Sequence, residues 1–329
     1  MIDVAKKIHQ EMLGAENILL VSHKNPDGDA LSSGCALMHY LRQIDKNHTA
    51  YCATPISKSL NFLPLAEYYI TDPLILTDNR FDLIIVLDSG DLLYAGLDEF
   101  LKNLDYSPIV VNIDHHATNE FFGHHNLVIS TAAATTEVLY NFFKINKINI
   151  DKHIATCLLT GIITDTGCFS NPATTAQSLK IAAELLRLGG NLNLIQGWTL
   201  KNRSVGGLKI WGQVLSRLYK NETYDIVSTI LTADDTQGPK SAGLPTGQAG
   251  AAEEVEGIAN FLNNLGEGRI VLLLKDGGDG IIKASLRTTD PQINLSGLAK
   301  MFGGGGHAKA AGFSVNGKLV ETEKGWQEI

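Results

Sequence analysis

The sequence predicts an α/β protein with a mainly parallel sheet and helices on both faces, plus a smaller C-terminal α/β domain with a mixed sheet. Three observations support this fold class. The strand-like segments 82–87 and 109–113 are apolar and rich in β-branched residues apart from Asp82 and Asn112, as in central parallel strands buried on both faces. Helical patterns alternate with such runs over the first half of the chain. Beyond residue 222 the chain is Gly-rich and contains a hairpin signal.

The length of 329 residues favours two domains, since single hydrophobic cores stop growing at about 250–300 residues. We predict an N-terminal domain over residues 1–190, a helical linker over 191–222 and a C-terminal domain over 223–329. The linker segment lacks strand signals, which indicates one or two connecting helices.

Periodicity and end signals locate the individual elements. Thr174 and Thr175 offer an N-cap for a helix that Gly189 and Gly190 stop. In the N-terminal domain we predict helices over 3–13, 31–44, 132–144, 151–163 and 175–188, and strands over 18–22, 49–53, 82–87 and 109–113. In the C-terminal domain we predict strands over 224–231, 269–274 and 281–287, a loop over 235–251, and helices over 252–265 and 295–302.

Composition and charge limit the classes of function. The net charge of −8 has the wrong sign for gripping long nucleic acid through many phosphates. No apolar run approaches the roughly 18 residues of a membrane span, and the N-terminal stretch lacks the layout of a signal peptide. Four cysteines without a CxxC pair indicate buried free thiols. We therefore expect a cytoplasmic protein that acts on neither long nucleic acid nor membranes.

Acidic and histidine side chains follow four apolar runs of the N-terminal domain. Ligands of open α/β sheets gather outside the carboxyl ends of the strands, so these side chains should meet. The fourth run, 158–163, is strand-like in composition but lies within a predicted helix. Carboxylates with a few imidazoles suit Mn²⁺ or Mg²⁺ better than Zn²⁺ or Fe²⁺. The candidates are His23, Asp27, Asp29, Asp88, Asp114, His115, His116 and Asp165.

Each candidate taken alone has a simpler explanation. Asp27 and Asp29 could cap the helix that begins near Ala30, and Asp88 and Asp165 could be structural or capping residues. Their occurrence together, after four apolar runs, argues against capping alone. Two divalent cations would cancel the charge of these four carboxylates, which without metal would repel one another and raise some of their own pKa values. The sequence therefore favours a metal site over a carboxylate acid–base pair.

The C-terminal domain contains a candidate phosphate site. Four glycines at 303–306 are either a flexible linker or a tight loop that admits a phosphate close to backbone N–H groups. His307 follows them directly, which favours the loop. Arg287 ends a strand-like run and shares a strand face with Lys283. We therefore predict a phosphate clamp formed by Arg287 and the glycine loop.

Several segments, in this order, resemble the motifs of the DHH phosphoesterase superfamily. Four of them are similar to the N-terminal motifs of that family, and the last two are similar to its C-terminal DHH-associated domain. The length and two-domain layout resemble the stand-alone nano-RNase/pAp phosphatase group. The segments are HKNPDGDA (23–30), VLDSGD (86–91), DHH with Asn119 (114–119), ITDTGCF (163–169), SLR (285–287) and FGGGGHAKAAGF (302–313).

The resemblance implies a role for each matching residue. It implies a metal-binding catalytic domain over 1–190 and a substrate-binding domain over 223–329. One metal would be held by His23, Asp27 and Asp88. The second would be held by Asp29, Asp88, His115 and Asp165, so that Asp88 bridges. The expected catalytic residues are His116, Asp88 and Asp29, and the expected substrate contacts are His116, Arg287, Gly304, Gly305, Gly306 and His307.

The resemblance also implies the activity. The expected enzyme is a phosphoesterase with two Mn²⁺ ions, or Mg²⁺ or another divalent metal, that hydrolyses short oligonucleotides (nano-RNA), 3′-phosphoadenosine 5′-phosphate (pAp), or both. Relatives of similar layout hydrolyse cyclic di-AMP or pApA, and this alternative stays open. A non-catalytic nucleotide-binding role is disfavoured because all six metal positions are intact.

Two points are left open by the sequence. Leu93 and Tyr94 stand where family members often carry arginine, so the substrate contacts in that segment are undefined. The oligomeric state is also undefined, with a homodimer among the options.

Overall fold

The computed structural model has the α/β architecture that the sequence predicts. It describes residues 1–199, 204–237, 257–263, 265–306, 308–322 and 325–328. The chain divides into two compact units, an N-terminal unit, Met1–Asn202, and a C-terminal unit, Arg203–Ile329. The division falls inside the segment 191–222, for which we predict a helical linker.

Six strands of the N-terminal unit form a parallel sheet. In chain order they are β1 (Ile18–Ser22), β2 (His48–Cys52), β3 (Tyr69–Ile70), β4 (Leu83–Leu87), β5 (Ile109–Asp114) and β6 (His125–Val128). They lie side by side in the order β3-β2-β1-β4-β5-β6. Ser22 pairs with Leu87, and Leu87 pairs with Ile113. Because this register is level, the residues that come next in each strand or loop start from one edge of the sheet.

Helices cover both faces of this sheet. In chain order they are α1 (Ile2–Gly14), α2 (Gly28–Gln43), α3 (Leu74–Thr77), α4 (Leu92–Ala95), α5 (Asp98–Lys102), α6 (Thr135–Ile145), α7 (Lys152–Asp165), α8 (Ala176–Arg187) and α9 (Leu192–Thr199). α2 begins at Gly28 because the Asp27 carboxylate accepts the N–H groups of Asp29 and Ala30.

Two hydrophobic clusters lie on opposite sides of the sheet. Leu20 and Ile85 belong to the larger cluster, with residues of α1, α2, α6 and α7. Leu19 and Ile84, their neighbours in sequence, belong to the smaller cluster around Phe81. Successive side chains of a strand point to opposite faces, so a doubly covered strand requires the uninterrupted apolar runs found in the sequence.

α2 and α7 pack against each other through glycines. A Cβ at Gly28 would collide with the side chain of Thr164, and a Cβ at Gly161 would collide with Asp29 and Thr136. This close packing brings the last residue of α7, Asp165, toward the start of α2. The apolar run 158–163 is thus helical, and Asp165 is supplied by the end of a helix.

The C-terminal unit contains a mixed six-stranded sheet and a separate hairpin. In chain order its elements are α10 (Val205–Ser216), β7 (Tyr219–Asn221), β8 (Ile226–Leu231), α11 (Ala233–Gln237), α12 (Ile258–Leu262), β9 (Ile270–Asp276), β10 (Ile281–Arg287), α13 (Leu295–Met301), β11 (Gly305–Gly306), β12 (Ala310–Asn316), β13 (Leu319–Thr322) and β14 (Gly325–Glu328). The sheet order is β11-β12-β10-β9-β8-β7. β8 and β9 are parallel, whereas the other described pairs are antiparallel.

The prediction misses short edge strands, the interior strand β12 and the short helices α3, α4, α5 and α11. The edge strands β3, β6 and β7 are absent from the prediction, since short edge strands need no long apolar run. α6 begins at Thr135 and not at residue 132. The first residues of the predicted loop over 235–251 belong to the helix α11. The rest of that loop and the first part of the predicted helix over 252–265 lie outside the described residues.

Two compositional expectations have a structural counterpart. Cys35, Cys52 and Cys157 are buried free thiols, and Cys168 is a partly exposed one. Among the helices of the described ranges, none combines the length and the apolar character needed to span a lipid bilayer.

Candidate metal centre

His23, Asp88 and Asp114 start from the level edge of the parallel sheet. His23 follows the last residue of β1, Asp88 follows the last residue of β4, and Asp114 is the last residue of β5. The register of these strands therefore brings residues from distant parts of the sequence to one place.

His23 is oriented by its own loop. Its Nδ1 lies 2.8 Å from the Lys24 carbonyl oxygen, which can only accept, so Nδ1 donates and Nε2 faces the acidic residues. Nε2 lies 3.9 Å from Asp27 Oδ1 and 3.6 Å from Asp88 Oδ2. His23, Asp27 and Asp88 form a first group whose candidate ligand atoms lie within 4.8 Å of one another.

Asp88 lies at the centre of the arrangement. Its Oδ2 is on the side of His23, while its Oδ1 lies 3.7 Å from His115 Nε2. The residue is 2% exposed, and its φ of +56° lies in the left-handed region. A non-glycine residue in that region stores about 1–3 kcal/mol of strain, although aspartate tolerates it better than most residues. The surrounding structure therefore holds Asp88 in an unfavourable backbone conformation.

A second group consists of Asp29, His115 and Asp165, again with candidate ligand atoms within 4.8 Å of one another. His115 Nδ1 lies 3.2 Å from the Ala132 carbonyl oxygen, so Nδ1 donates and Nε2 faces the carboxylates. Nε2 lies 3.3 Å from Asp165 Oδ2. A third, overlapping group joins Asp88, His115 and His116.

Asp114 holds the second histidine of the DHH segment. Its Oδ1 accepts from His116 Nδ1 at 2.7 Å, and its Oδ2 accepts from the Asn119 amide at 2.6 Å. The Asn119 amide also donates to Asn112 at 2.7 Å. This buried network fixes the His116 ring with its proton on Nδ1, which leaves Nε2 as the nitrogen for chemistry.

The start of α6 supplies further donors that our sequence analysis missed. Thr135 N–H and Thr136 N–H donate to the two oxygens of Asp29, at 2.5 Å and 3.0 Å. The Thr136 hydroxyl donates to Asp29 Oδ1 and the Thr135 hydroxyl to Asp88 Oδ1, each at 2.7 Å. In the sequence, a threonine pair before an apolar helix looks like an ordinary N-cap, so no local signal identifies these contacts.

The protonation of the centre reflects closely spaced buried carboxylates. Burial and the Asp88 charge raise the pKa of Asp29 to about 7, and burial and the Asp29 charge raise the pKa of Asp165 well above its usual range. Burial alone would raise the pKa of Asp88 as well, but His23, His115 and His116 outweigh it and lower that pKa. Without metal, Asp29 and Asp165 therefore hold protons more readily than free carboxylates do, and a divalent cation would replace these protons.

Two histidines are basic for a similar reason. Burial alone would lower the pKa of His23 and of His116. The neighbouring carboxylates outweigh it and raise both pKa values to about 9: Asp88 is the main cause for His23, and Asp114 for His116.

All six predicted metal-ligand positions meet in one acidic cluster with interleaved imidazoles. Hard oxygen donors with imidazole nitrogens are the donor set that suits Mn²⁺ or Mg²⁺.

Apart from His116, the predicted substrate contacts lie in the C-terminal unit. Arg287 is the last residue of β10 and pairs with Ala310 of β12, while Gly306 of β11 pairs with the next residue, Ala311. Arg287 and the glycine segment therefore lie at the same level of one sheet, separated by a single strand. A Cβ at Gly304 or Gly306 would collide with the β12 backbone, so the glycines allow β11 to pack there. His307 lies outside the described residues.

Known protein families match both units. The family described as "DHH family, N-terminal domain" matches residues 17–162, and the DHHA1 domain matches residues 242–324. The chain is also similar to a protein of Thermus thermophilus named bifunctional oligoribonuclease and PAP phosphatase NrnA. The identity is 31% over 312 residues, which cover 95% of this chain and 87% of the relative. The chain belongs to the DHH family.

Two further comparisons concern the fold and about half of the length of this DHH protein. An exopolyphosphatase-related protein from Bacteroides fragilis, known from its crystal structure, has a TM-score of 0.82 and 25% identity, covering 94% of this chain and 90% of that one. A probable manganese-dependent inorganic pyrophosphatase of Streptococcus thermophilus is 26% identical over 178 residues, covering 53% of this chain and 56% of the relative.

Proposed function

We propose that this DHH protein is a divalent-metal-dependent hydrolase of phosphate esters that degrades short oligoribonucleotides and dephosphorylates pAp. The observation that carries the proposal is the two-sided environment of Asp88. One oxygen faces His23 and the other faces His115, 3.6 Å and 3.7 Å away. A carboxylate shared in this way is what a two-metal hydrolase uses to hold two ions next to each other. The NrnA name of the Thermus thermophilus relative supports the substrate assignment.

The donor set fits two ions. His23, Asp27 and Asp88 would hold the first, and Asp29, His115 and Asp165, with Asp88, would hold the second. The manganese-dependent relative supports Mn²⁺ as the ion. When bound, the ions supply positive charge that lowers the pKa of a water molecule and stabilises the charge that develops on the phosphate.

His116 is the proposed acid. Its Nδ1 proton is committed to Asp114, and its pKa is raised to about 9 by Asp114 and Asp88 against the effect of burial. A protonated imidazole held in this way can contact the scissile phosphate through Nε2 and donate its Nε2 proton to the leaving oxygen. Asp29 and Asp88 are the other two proposed catalytic residues. They would act by holding the ions. Asp114 and Asn119 keep the His116 ring in one orientation.

The C-terminal unit is proposed to bind a terminal phosphate or the end of the substrate. Arg287 and Gly304 to Gly306 support this role, because Arg287 and Gly306 lie at the same level of one sheet on either side of β12. A guanidinium contributes charge and paired donors, and a glycine segment lets a phosphate come close to backbone N–H groups. His307, which follows directly, is predicted to join them. A site that captures one end of a chain selects short substrates over long ones.

A substrate panel tests this function. Purified protein with Mn²⁺ would be assayed with pAp, RNA di- to pentanucleotides, pApA and cyclic di-AMP, each with and without a chelator. We expect turnover of dinucleotides and pAp that chelation abolishes and Mn²⁺ restores. Turnover confined to cyclic di-AMP or pApA would support the cyclic dinucleotide alternative. No turnover of any substrate by protein that demonstrably binds Mn²⁺ would contradict the proposal and favour a nucleotide-binding role.

A further inference from the structure

The first turn of α6 contacts two acidic residues of the metal centre, Asp29 and Asp88. Both residues are distant from α6 in the sequence. Asp29 accepts both backbone N–H groups and one hydroxyl from Thr135 and Thr136. Asp88 accepts the Thr135 hydroxyl at 2.7 Å. Both threonines are completely buried. Four donors from a single helix turn are therefore directed at carboxylates that come from α2 and from the end of β4.

The contacts to Asp29 have a structural explanation. The N-cap residue of α6, Ala134, has no side chain that could accept from the helix. Asp29 takes over this capping function, since its oxygens satisfy the N–H groups of Thr135 and Thr136. Helix stability alone thus explains two of the four hydrogen bonds, without reference to a metal.

The hydrogen bond from Thr135 to Asp88 has no such explanation. Asp88 accepts nothing from the α6 backbone in the described hydrogen bonds, and the Thr135 hydroxyl does not satisfy a group of its own helix. This hydrogen bond makes the two oxygens of Asp88 different from each other. Oδ1 takes the Thr135 hydroxyl and lies toward His115, while Oδ2 lies toward His23. The hydroxyl thereby sets the rotation of the carboxylate that lies between His23 and His115.

We propose that Thr135 and Thr136 are positioning residues of the metal centre. Thr135 holds the Asp88 carboxylate so that its two oxygens serve different ions. Thr136 holds the Asp29 carboxylate close to His115 and Asp165, with which Asp29 forms the second ligand group. This inference rests on the proposed two-ion function. Hydrogen-bond partners of metal ligands typically change metal affinity about 10- to 100-fold when removed. Because Oδ1 is the oxygen that Thr135 holds, the ion bound with His115 depends on it most.

Thr135→Val tests the role of the hydroxyl, since valine keeps the shape of threonine without the donor. The readouts are Mn²⁺ titration by calorimetry, the low-temperature electron paramagnetic resonance spectrum, and the thermal midpoint of metal-free protein. We expect the second Mn²⁺ to bind about 10- to 100-fold more weakly. At substoichiometric metal, the spin-coupled signal of an ion pair should give way to that of isolated Mn²⁺. Thr135→Ser, which keeps the donor, should restore affinity and coupling.

A second pair of variants covers the case in which valine prevents folding. Thr135→Ser and Thr135→Ala differ only by the hydroxyl, so a weaker second Mn²⁺ site in the alanine variant alone supports the inference. Thr136→Val should weaken the second site and also lower the metal-free thermal midpoint, because Asp29 loses a donor at the α6 cap.

The inference and the proposed function fail differently. If Thr135→Val and Thr135→Ala bind two Mn²⁺ ions as tightly as the wild type, while the wild type hydrolyses dinucleotides and pAp, the positioning role is overturned and the function stands. If the wild type binds two ions and the variants bind the second weakly, but none hydrolyses any substrate, the positioning role stands and the function is wrong.

Discussion

The Tyr94 ring stacks on the His23 imidazole, with ring centroids 4.6 Å apart and ring planes inclined by 21°. The two residues follow different strands, β1 and β4. The Lys24 N–H also donates to the Tyr94 carbonyl oxygen at 3.0 Å, so the backbone joins the same two segments. His23 Nε2 belongs to the first ligand group. The stacked tyrosine therefore limits the rotation of a proposed metal ligand.

Tyr94→Leu should weaken Mn²⁺ binding, whereas Tyr94→Phe should leave it nearly unchanged. An aromatic pair contributes about 0.5–1.5 kcal/mol beyond its buried area, which corresponds to a loss of affinity of roughly 2- to 10-fold. Calorimetric titration with Mn²⁺ would measure it. Tyr68→Leu is the control, since Tyr68 is an exposed tyrosine that contacts Arg42 instead. Equal Mn²⁺ affinities for Tyr94→Leu and the wild type would show that the stacking is irrelevant to the centre.

Asp88→Asn should remove nearly all turnover and Mn²⁺ binding while the protein stays folded. Asparagine has a similar shape and tolerates the left-handed backbone, but it lacks the charge and one of the two equivalent oxygens. The loss of turnover should exceed the roughly 100-fold typical of hydrogen-bond partners of ligands. Asp91→Asn is the matched control, because Asp91 lies at the same strand end and caps α4 through Tyr94 N–H. Metal-dependent turnover surviving in Asp88→Asn would rule out the shared carboxylate.

The metal-free protein should lose stability from pH 6 to pH 9, and the stabilisation by Mn²⁺ should grow over that range. His23 and His116, with pKa values raised to about 9 mainly by Asp88 and Asp114 against burial, hold protons that the unfolded chain releases near pH 6.5. Their contribution is complete below about pH 6.5 and is lost as the pH rises through about 9. Asp29, with its pKa raised to about 7 by burial and Asp88, acts with the same sign from about pH 4 to 7.

Mn²⁺ competes with these protons, so its binding tightens as they leave. Thermal midpoints recorded at several pH values with and without Mn²⁺ would measure both trends. The lowered pKa of Asp88, caused by the three histidines against burial, acts only at lower pH, outside this window. A midpoint gain from Mn²⁺ that shrinks toward pH 9 would contradict the assignment.

Gly161→Ala should weaken Mn²⁺ binding, although Gly161 is not itself a proposed ligand. A Cβ at this position of α7 would collide with the side chains of Asp29 and Thr136, and overpacking of a buried contact costs about 1–3 kcal/mol. We expect a lower thermal midpoint and weaker Mn²⁺ binding. Gly197→Ala in α9 is the matched control, because nothing lies within 4 Å of a Cβ there. Unchanged Mn²⁺ affinity in Gly161→Ala would mean that α7 tolerates a shift without moving Asp29.

Arg287→Ala should raise KM for an RNA dinucleotide with little change in kcat. Hydrogen bonds to charged groups contribute about 1.5–3 kcal/mol, which corresponds to roughly 10- to 150-fold in KM. Arg269→Ala removes a different arginine of the same unit, which pairs with Asp290 at 2.7 Å, and should leave KM near the wild-type value. If both variants have the wild-type KM, the proposed clamp is wrong.

Much of the centre could be predicted because a change from apolar to polar residues marks the end of a buried strand. His23, Asp88 and Asp114 lie at strand ends whose register is level, and a parallel sheet brings such ends together. The same pattern is ambiguous for Asp165. An apolar run buried on all sides suits a helix or a strand equally well, and the structure shows a helix.

The rest of the centre depends on contacts that no local pattern records. Thr136 reaches Asp29 across 107 positions of sequence, and Thr135 reaches Asp88 across 47. The Tyr94 stacking likewise follows from the packing of two loops. Such partners are selected by the folded arrangement, so a sequence containing threonine before a helix predicts only a cap. Edge strands such as β3 escape prediction because two paired residues suffice to form one.

Asp165, at the end of α7, is the last of the six proposed ligands to be synthesised, and α7 packs against α2 near the beginning of the chain. A ribosome-bound nascent chain that ends before α7 would therefore carry five acidic and imidazole ligands without the helix that closes the cluster. Such a chain should have little affinity for cellular manganese. Metal loading, and with it any phosphoesterase activity, would be delayed until α7 has left the exit tunnel.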